Sequence, residues 1–380
     1  MKFAFLSLIL LTILGGAAKK QTTDEFIAME TTETTQVRGK NSSTVTMRFD
    51  YEGAEALIEA LERDSLSDAD VDNLLRIHGI RAMVDNVTVF NPPIGVPEFR
   101  QEIQNFARTK QRGEHGRNFQ FHDVWRNRDN VRSLIKAIRT DERKIIRQTL
   151  DQIQTYNLNS GKLAINVYFV AGGVSDGFLF DKQDQPAFYA NLVRANGDFN
   201  GVLANMSHEA FHVMQKAAQR CAGLTAVADE TLKLPVAERL LAITLSEGVA
   251  NYVVDPTRSA ATGTNMESSR QRYRRNAEPE RIKENFALFD AVLSDLRANR
   301  ITWQEADFRG FSGNNDARFY FVGYEMAKAI EKYCGRKCIS KLFEKPPVEF
   351  FRQYIALYRK HPELTARFSK ETEDFITAKR

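Results

Sequence analysis

Three cysteines in 380 residues are too few to staple a fold, so this chain must hold itself together by burying an apolar core. Cys334 and Cys338 stand on either side of Gly335, close enough to pair locally in an oxidising compartment or to remain two thiols near a helix end. Cys221 is left single in both cases. An excess of one charge is also missing: 53 Lys and Arg are mixed with 49 Asp and Glu along the whole chain, and a formal charge of +4 gives no argument for a nucleic-acid partner. After residue 14 no apolar run approaches the length of a membrane span, so no stable membrane insertion is expected beyond the N-terminal segment. Histidine is scarce at six residues, which makes two of them at a defined spacing informative.

The N-terminus reads as a targeting segment. Met1-Lys2 supplies a positive charge, Phe3 to Leu14 is a short apolar run, and Gly15-Gly16-Ala17-Ala18 offers small residues for cleavage. Residues 1–18 are therefore expected to be a signal peptide cleaved near Ala18, leaving a secreted or periplasmic protein. With no cysteine at the cleavage site, a bacterial lipoprotein is not expected. Residues 19–45 are polar and rich in Thr and Ser, and read as a flexible linker.

Apolar residues at helical spacing then predict a helical N-terminal lobe over 46–160, with helices over Glu52 to Glu62, Asp68 to Val84 behind a Ser67-Asp68 cap, Pro97 to Thr109, and His122 to Tyr156. Asn91-Pro92-Pro93 interrupts the series. His78 and His361 have no neighbours of ligand type at useful spacing, and His115 and His122, seven apart and so able to share a helix face, are set among Gly113 and Gly116, which argue for a loop. At Gly161 the texture changes. Leu163 to Val170 is rich in β-branched and aromatic residues and ends in Ala171-Gly172-Gly173, the best strand of the chain. Phe178 to Phe180 and Phe188 to Val193 are further strands, separated by the polar turn Asp181 to Gln185. The fold class is thus α+β, mainly helical, with a small β-sheet placed before the histidine-bearing helix of a catalytic lobe over 161–380.

That helix carries the chemistry. From an Asp198 cap to about Arg220, Val202, Leu203, Met206, Ala210, Val213, Met214 and Ala217 fall on one side, and Asn205, His208, Glu209, His212, Gln215, Lys216 and Gln219 on the other. His208-Glu209-Ala210-Phe211-His212 is H-E-x-x-H. Residues four apart stack on one helix face, so His208 and His212 present two imidazoles to one metal ion, with Glu209 beside them as a general base. The metzincin extension is excluded, because Gln215 and Ala218 occupy the positions of its glycine and third histidine.

A catalytic zinc needs one more protein ligand. Leu240 to Val254 is apolar nearly all round, and a carboxylate there needs a partner. Glu247 is the best third ligand, the alternative being a carboxylate paired with an arginine; Glu238 and Glu230 are weaker choices. Asn251 shares its stripe and is expected to hold Glu247 or a histidine. Gly248 is expected to let this helix approach the histidine helix. Behind an Asn315-Asp316 cap, Arg318 to Tyr333 reads as a helix with Tyr320 and Tyr324 on one face, either of them a hydrogen-bond donor to a developing oxyanion or simply packed aromatic rings. Val348 to Tyr358 and Leu364 to Thr377 are closing helices.

His208-Glu209-Ala210-Phe211-His212 followed by Glu247-Gly248-Val249-Ala250-Asn251 resembles the gluzincin pattern of zinc metallopeptidases. More narrowly, the chain resembles a bacterial family described as zinc-dependent peptidases, over about residues 45–360, including Gly172-Gly173 and Tyr320-Phe321-Val322-Gly323-Tyr324. The resemblance implies a zincin-like core, one Zn2+ per chain on His208, His212 and Glu247, Glu209 as base, and a peptide or protein substrate. A zinc-containing peptide-binding module without turnover, or a zinc hydrolase of small amides or esters, would use the same residues.

Overall fold

The computed structural model describes residues 35–38, 44–156, 158, 161–179, 186–224, 234–312 and 316–378. The expected signal peptide, the Asp181 to Gln185 turn, Phe180, Glu230 and Asn315 lie outside them. The protein is a mainly helical α+β structure built on a five-stranded sheet.

Strands β1 (Thr35–Arg38), β2 (Thr44–Asp50), β3 (Lys162–Val170), β4 (Gly177–Phe178) and β5 (Ala187–Asn191) lie in the order β1-β2-β3-β5-β4. β2, β3 and β5 run parallel, and antiparallel β1 and β4 form the two edges. Parallel neighbours need a crossover, and here it is the whole N-terminal helical series. That series comprises α1 (Glu52–Glu62), α2 (Asp68–Arg76), α3 (His78–Phe90), α4 (Val96–Thr109), α5 (Gly116–Phe119), α6 (Phe121–Arg126), α7 (Arg128–Thr140) and α8 (Glu142–Gln154).

This connectivity corrects two expectations. Thr35–Arg38 pairs with Thr44–Met47, so part of the expected linker over 19–45 is strand. The expected lobes over 46–160 and 161–380 are not separate, since β2 from before the boundary is hydrogen-bonded to β3 from after it and one apolar core runs through both. The helices follow their local signals more closely. Ser67 accepts from the Asp70 amide while the Asp70 carboxylate accepts from the Ser67 amide, a complete capping box. The long spans read as single helices break at Ile77, which is extended, and at Asp141, a poor helix former with non-helical angles.

Beyond β5 come α9 (Phe199–Cys221), α10 (Val236–Val253), α11 (Thr264–Asn276), α12 (Pro279–Arg297), α13 (Trp303–Gly310), α14 (Arg318–Cys334), α15 (Arg336–Leu342), α16 (Val348–Lys360) and α17 (Lys370–Ala378). Cys334 and Cys338 form a disulfide across the α14–α15 corner, and Cys221 is free and exposed. α9 lies against β3 and β5 and buries Val202, Met206 and Ala210, and Phe211 packs edge-on to Tyr156 and Phe343. Its start is fixed by Asp198, whose Oδ1 accepts from the Gly201 amide at 2.9 Å. The other oxygen accepts from the amides of Asn265 at 2.8 Å and Met266 at 3.1 Å, so one buried carboxylate caps both α9 and α11.

Gly248 serves a different contact from the one expected. It meets Gly323 of α14, not α9, and a Cβ on either glycine would collide with main-chain atoms of the opposite helix. The backbones of α10 and α14 therefore touch where they cross. The helix α14 also begins differently: Ala317 in a left-handed conformation stands at its start without a side-chain cap, and Asp316 pairs with Arg275 at 2.8 Å. Because the crossing has no room for a methyl group, Gly248→Ala should lower unfolding free energy by about 1–3 kcal/mol. Urea denaturation showing undiminished stability would mean that the two helices part without cost.

Candidate metal centre

α9 and α10 bring three ligand groups to one point. His208 and His212 stand one helical turn apart with ring planes perpendicular, and their Nε2 atoms are 2.9 Å from each other. From α10, Glu247 places Oε2 3.3 Å from His208 Nε2 and Oε1 3.4 Å from His212 Nε2. Tetrahedral bonds of about 2.0–2.1 Å put neighbouring ligand atoms about 3.3 Å apart, so this donor set has the size and chemistry that zinc requires. Among the described residues it is the single group of His, Cys, Asp and Glu so disposed. Glu238, His78, His115, His122 and His361 are outside it.

The polar face of α9 is not a solvent face. Glu209 and His212 are 7% and 8% exposed, and Gln215, Lys216 and Gln219 are buried with them. His212 Nδ1 is 2.8 Å from Gln215 Oε1 and 3.1 Å from the Ser246 hydroxyl. Ser246 donates to Gln215 Oε1 at 2.9 Å, and the Gln215 amide donates to the Ser246 carbonyl at 3.0 Å. With its NH2 group so engaged, Gln215 offers His212 an acceptor, so Nδ1 carries a proton and Nε2 is the nitrogen that faces Glu247. Gln215 and Ser246 were not singled out from the sequence; their signal was adjacency, three residues after one ligand and one before another.

Burial opposes the charge of Glu247, but His212 and His208 beside it hold its carboxyl well below the usual carboxylate range. Burial likewise opposes a charged His212, and Glu247 outweighs it, raising the imidazole. Glu209 goes the other way: burial raises its carboxyl, and His208 and His212 pull it only part of the way back.

Glu209 lies against the sheet edge. A Cβ at Gly177 of β4 would come within 2.7 Å of Glu209 Oε1 and 2.8 Å of Asn205 Nδ2, so a side chain there would have to displace the tips of both. Two hollows meet at this point and share Gly177, His208, Glu209 and Tyr320. One, of about 370 Å³, has Phe90, Phe178 and Leu179 on its wall. The other, of about 720 Å³, runs toward Asp176, Arg194, Arg272 and Asp316.

The two tyrosines part company. Tyr320 borders both hollows, and burial together with Glu247, Asp307 and Glu209 keeps its phenol protonated. Tyr324 borders neither, because its hydroxyl donates to Asp255 Oδ2 at 2.6 Å; the structure does not bring it to the centre. Asn251 is close but acts on the main chain. Its amide donates to the Glu247 carbonyl at 2.8 Å and its Oδ1 accepts from the Tyr273 hydroxyl at 2.6 Å, so it steadies the α10 backbone and not the Glu247 carboxylate.

Two histidines from one helix and a glutamate from its neighbour, with Glu209 between the histidines in sequence, form a group that could hold a metal ion. The chain belongs to the family described as "Putative zinc dependent peptidase (DUF5700)", whose profile matches residues 71–363. Comparison with curated proteins and with solved structures returned no match.

Purified protein should contain close to one zinc, lost on His208→Ala, His212→Ala or Glu247→Ala. Gln215→Leu should weaken zinc about 10–100-fold by freeing the His212 ring. Competition with a chromophoric chelator measures both, and undiminished affinity in Glu247→Ala would displace it as a ligand.

Proposed function

We propose that this chain is an exported zinc peptidase of the gluzincin type that hydrolyses peptide bonds at His208, His212, Glu247, Glu209 and Tyr320. The carrying observation is the placement of Glu209: between the two imidazoles in sequence, buried in space, and pressed against an edge strand where two hollows meet. When bound, zinc supplies Lewis acidity, polarising a carbonyl and making water acidic near neutral pH.

The remaining work falls to the chain itself. β4 is paired with β5 on one side and is the last strand of the sheet among the described residues, so an extended peptide can add to it by main-chain hydrogen bonds and lie across the waist between the hollows. Glu209 then faces the scissile bond, takes a proton from the attacking water and passes it to the leaving amine. Tyr320 keeps its proton and donates a hydrogen bond to the oxygen that gains charge. Gln215 and Ser246 hold His212 in one orientation throughout. The Cys334–Cys338 disulfide supports export, since such bonds persist in oxidising compartments. No helix among the described residues is long and apolar enough to cross a membrane.

With unstructured peptides as substrate, Glu209→Gln should retain zinc and lose measurable turnover. A zinc-loaded Glu209→Gln protein cleaving at the wild-type rate would sink the base assignment. Tyr320→Phe should lower kcat by about 10²–10³-fold with KM nearly unchanged; an unaltered kcat would mean that another group meets the oxyanion.

A further inference from the structure

The larger hollow is lined by three arginines and two aspartates besides the centre itself. Two arginines are committed: Arg194 to Asp176 at 2.6 Å, and Arg275 to Asp316 at 2.8 Å. Arg272 is different. It is half-buried on α11, its Nε is sealed from solvent, and that nitrogen has no hydrogen-bond partner. No carboxylate among the described residues forms an ion pair with it.

The other arginines of α11 show that this is not a general property of the helix. Arg270 is spent on the carbonyls of Pro256, Ser259 and Ala261, and Arg274 pairs with Glu267 at 3.2 Å. The flanking Tyr273 is tied to Asn251, which fixes the rotation of α11 and turns Arg272 toward the hollow it shares with Tyr320. A guanidinium with a buried, unsatisfied N–H costs stability unless something anionic arrives. Its planar fork matches a carboxylate.

We propose that Arg272 anchors a carboxylate of the substrate in the larger hollow, either the C-terminal carboxylate of a peptide or an acidic side chain. The inference rests on the peptidase reading for the identity of the ligand. It makes the site selective for peptides carrying a negative group at a set distance from the bond that is cut. Arg272 is a binding residue in this scheme and takes no part in proton transfer.

The test uses zinc-loaded Glu209→Gln protein, which retains a substrate without cleaving it, and three N-acetylated alanine hexapeptides: one with a free C-terminus, one amidated, and one amidated with a single Glu moved through the sequence. Calorimetry should show at least one carboxylate peptide binding about tenfold or more tightly than the neutral amide. Preference for the free acid identifies the terminal carboxylate, and preference for an internal Glu identifies the side chain. Adding Arg272→Gln should abolish the difference while zinc content stays unchanged and melting temperature does not fall, because among the described residues no carboxylate pairs with the guanidinium. Equal binding of all three peptides, binding of none, or a preference that survives Arg272→Gln overturns the proposal. Hydrolysis of the same peptides by wild-type protein is a separate readout. Carboxylate preference without cleavage would sink the peptidase reading and leave the anchor standing, and cleavage without preference would do the reverse.

Discussion

A carboxylate set among apolar helices must find a positive partner, and Glu247 finds it in the two imidazoles of the neighbouring helix. Much of the C-terminal architecture can be understood as serving that encounter. α10 is apolar on nearly every side and so must be enclosed. α14 encloses it by direct backbone contact at Gly248 and Gly323, and α9 supplies the histidines from the other flank. The same crossing sets Tyr320 beside the hollows and leaves Tyr324, one turn further on, against Asp255.

Around this pair the polar atoms are connected to one another. Gln215, Ser246 and His212 form a closed hydrogen-bonded set, and Asn251 links the Glu247 main chain to Tyr273. Such networks hold ligand groups in one rotamer before any ion arrives, which reduces the reorganisation that binding requires. Glu209 is treated differently: burial raises its carboxyl more than His208, His212 and Lys216 lower it, and it stands where the sheet edge has no side chain to fill the space.

What could be seen in the sequence was what is written locally. H-E-x-x-H carries its own helical geometry, the Asp198 and Ser67 caps announce their helices, and Glu247 stands out because its neighbours are apolar. The sheet before the histidine helix was visible in Leu163 to Val170, but its topology was not. The partner strand of β3 lies more than a hundred residues upstream, where the Thr-rich stretch read as a spacer ends, and β1 lies within that stretch. Long-range pairing leaves no local trace, which is also why the expected two lobes turned out to share one sheet. Gly248 was read as a contact glycine but given the wrong neighbour, because periodicity reveals a small face and not what covers it. The region from 255 to 312 has no motif at all, yet it holds Asp255, Arg272 and Tyr273.

The double cap at Asp198 has a consequence for what such a site can accept. The helix with the imidazoles and the helix with Arg272 start from the same carboxylate, so neither can slide or turn without dragging the other. The separation between the metal ligands and the guanidinium is thereby fixed by the fold, like marks on a ruler. Any ligand that reaches both would have to match that separation.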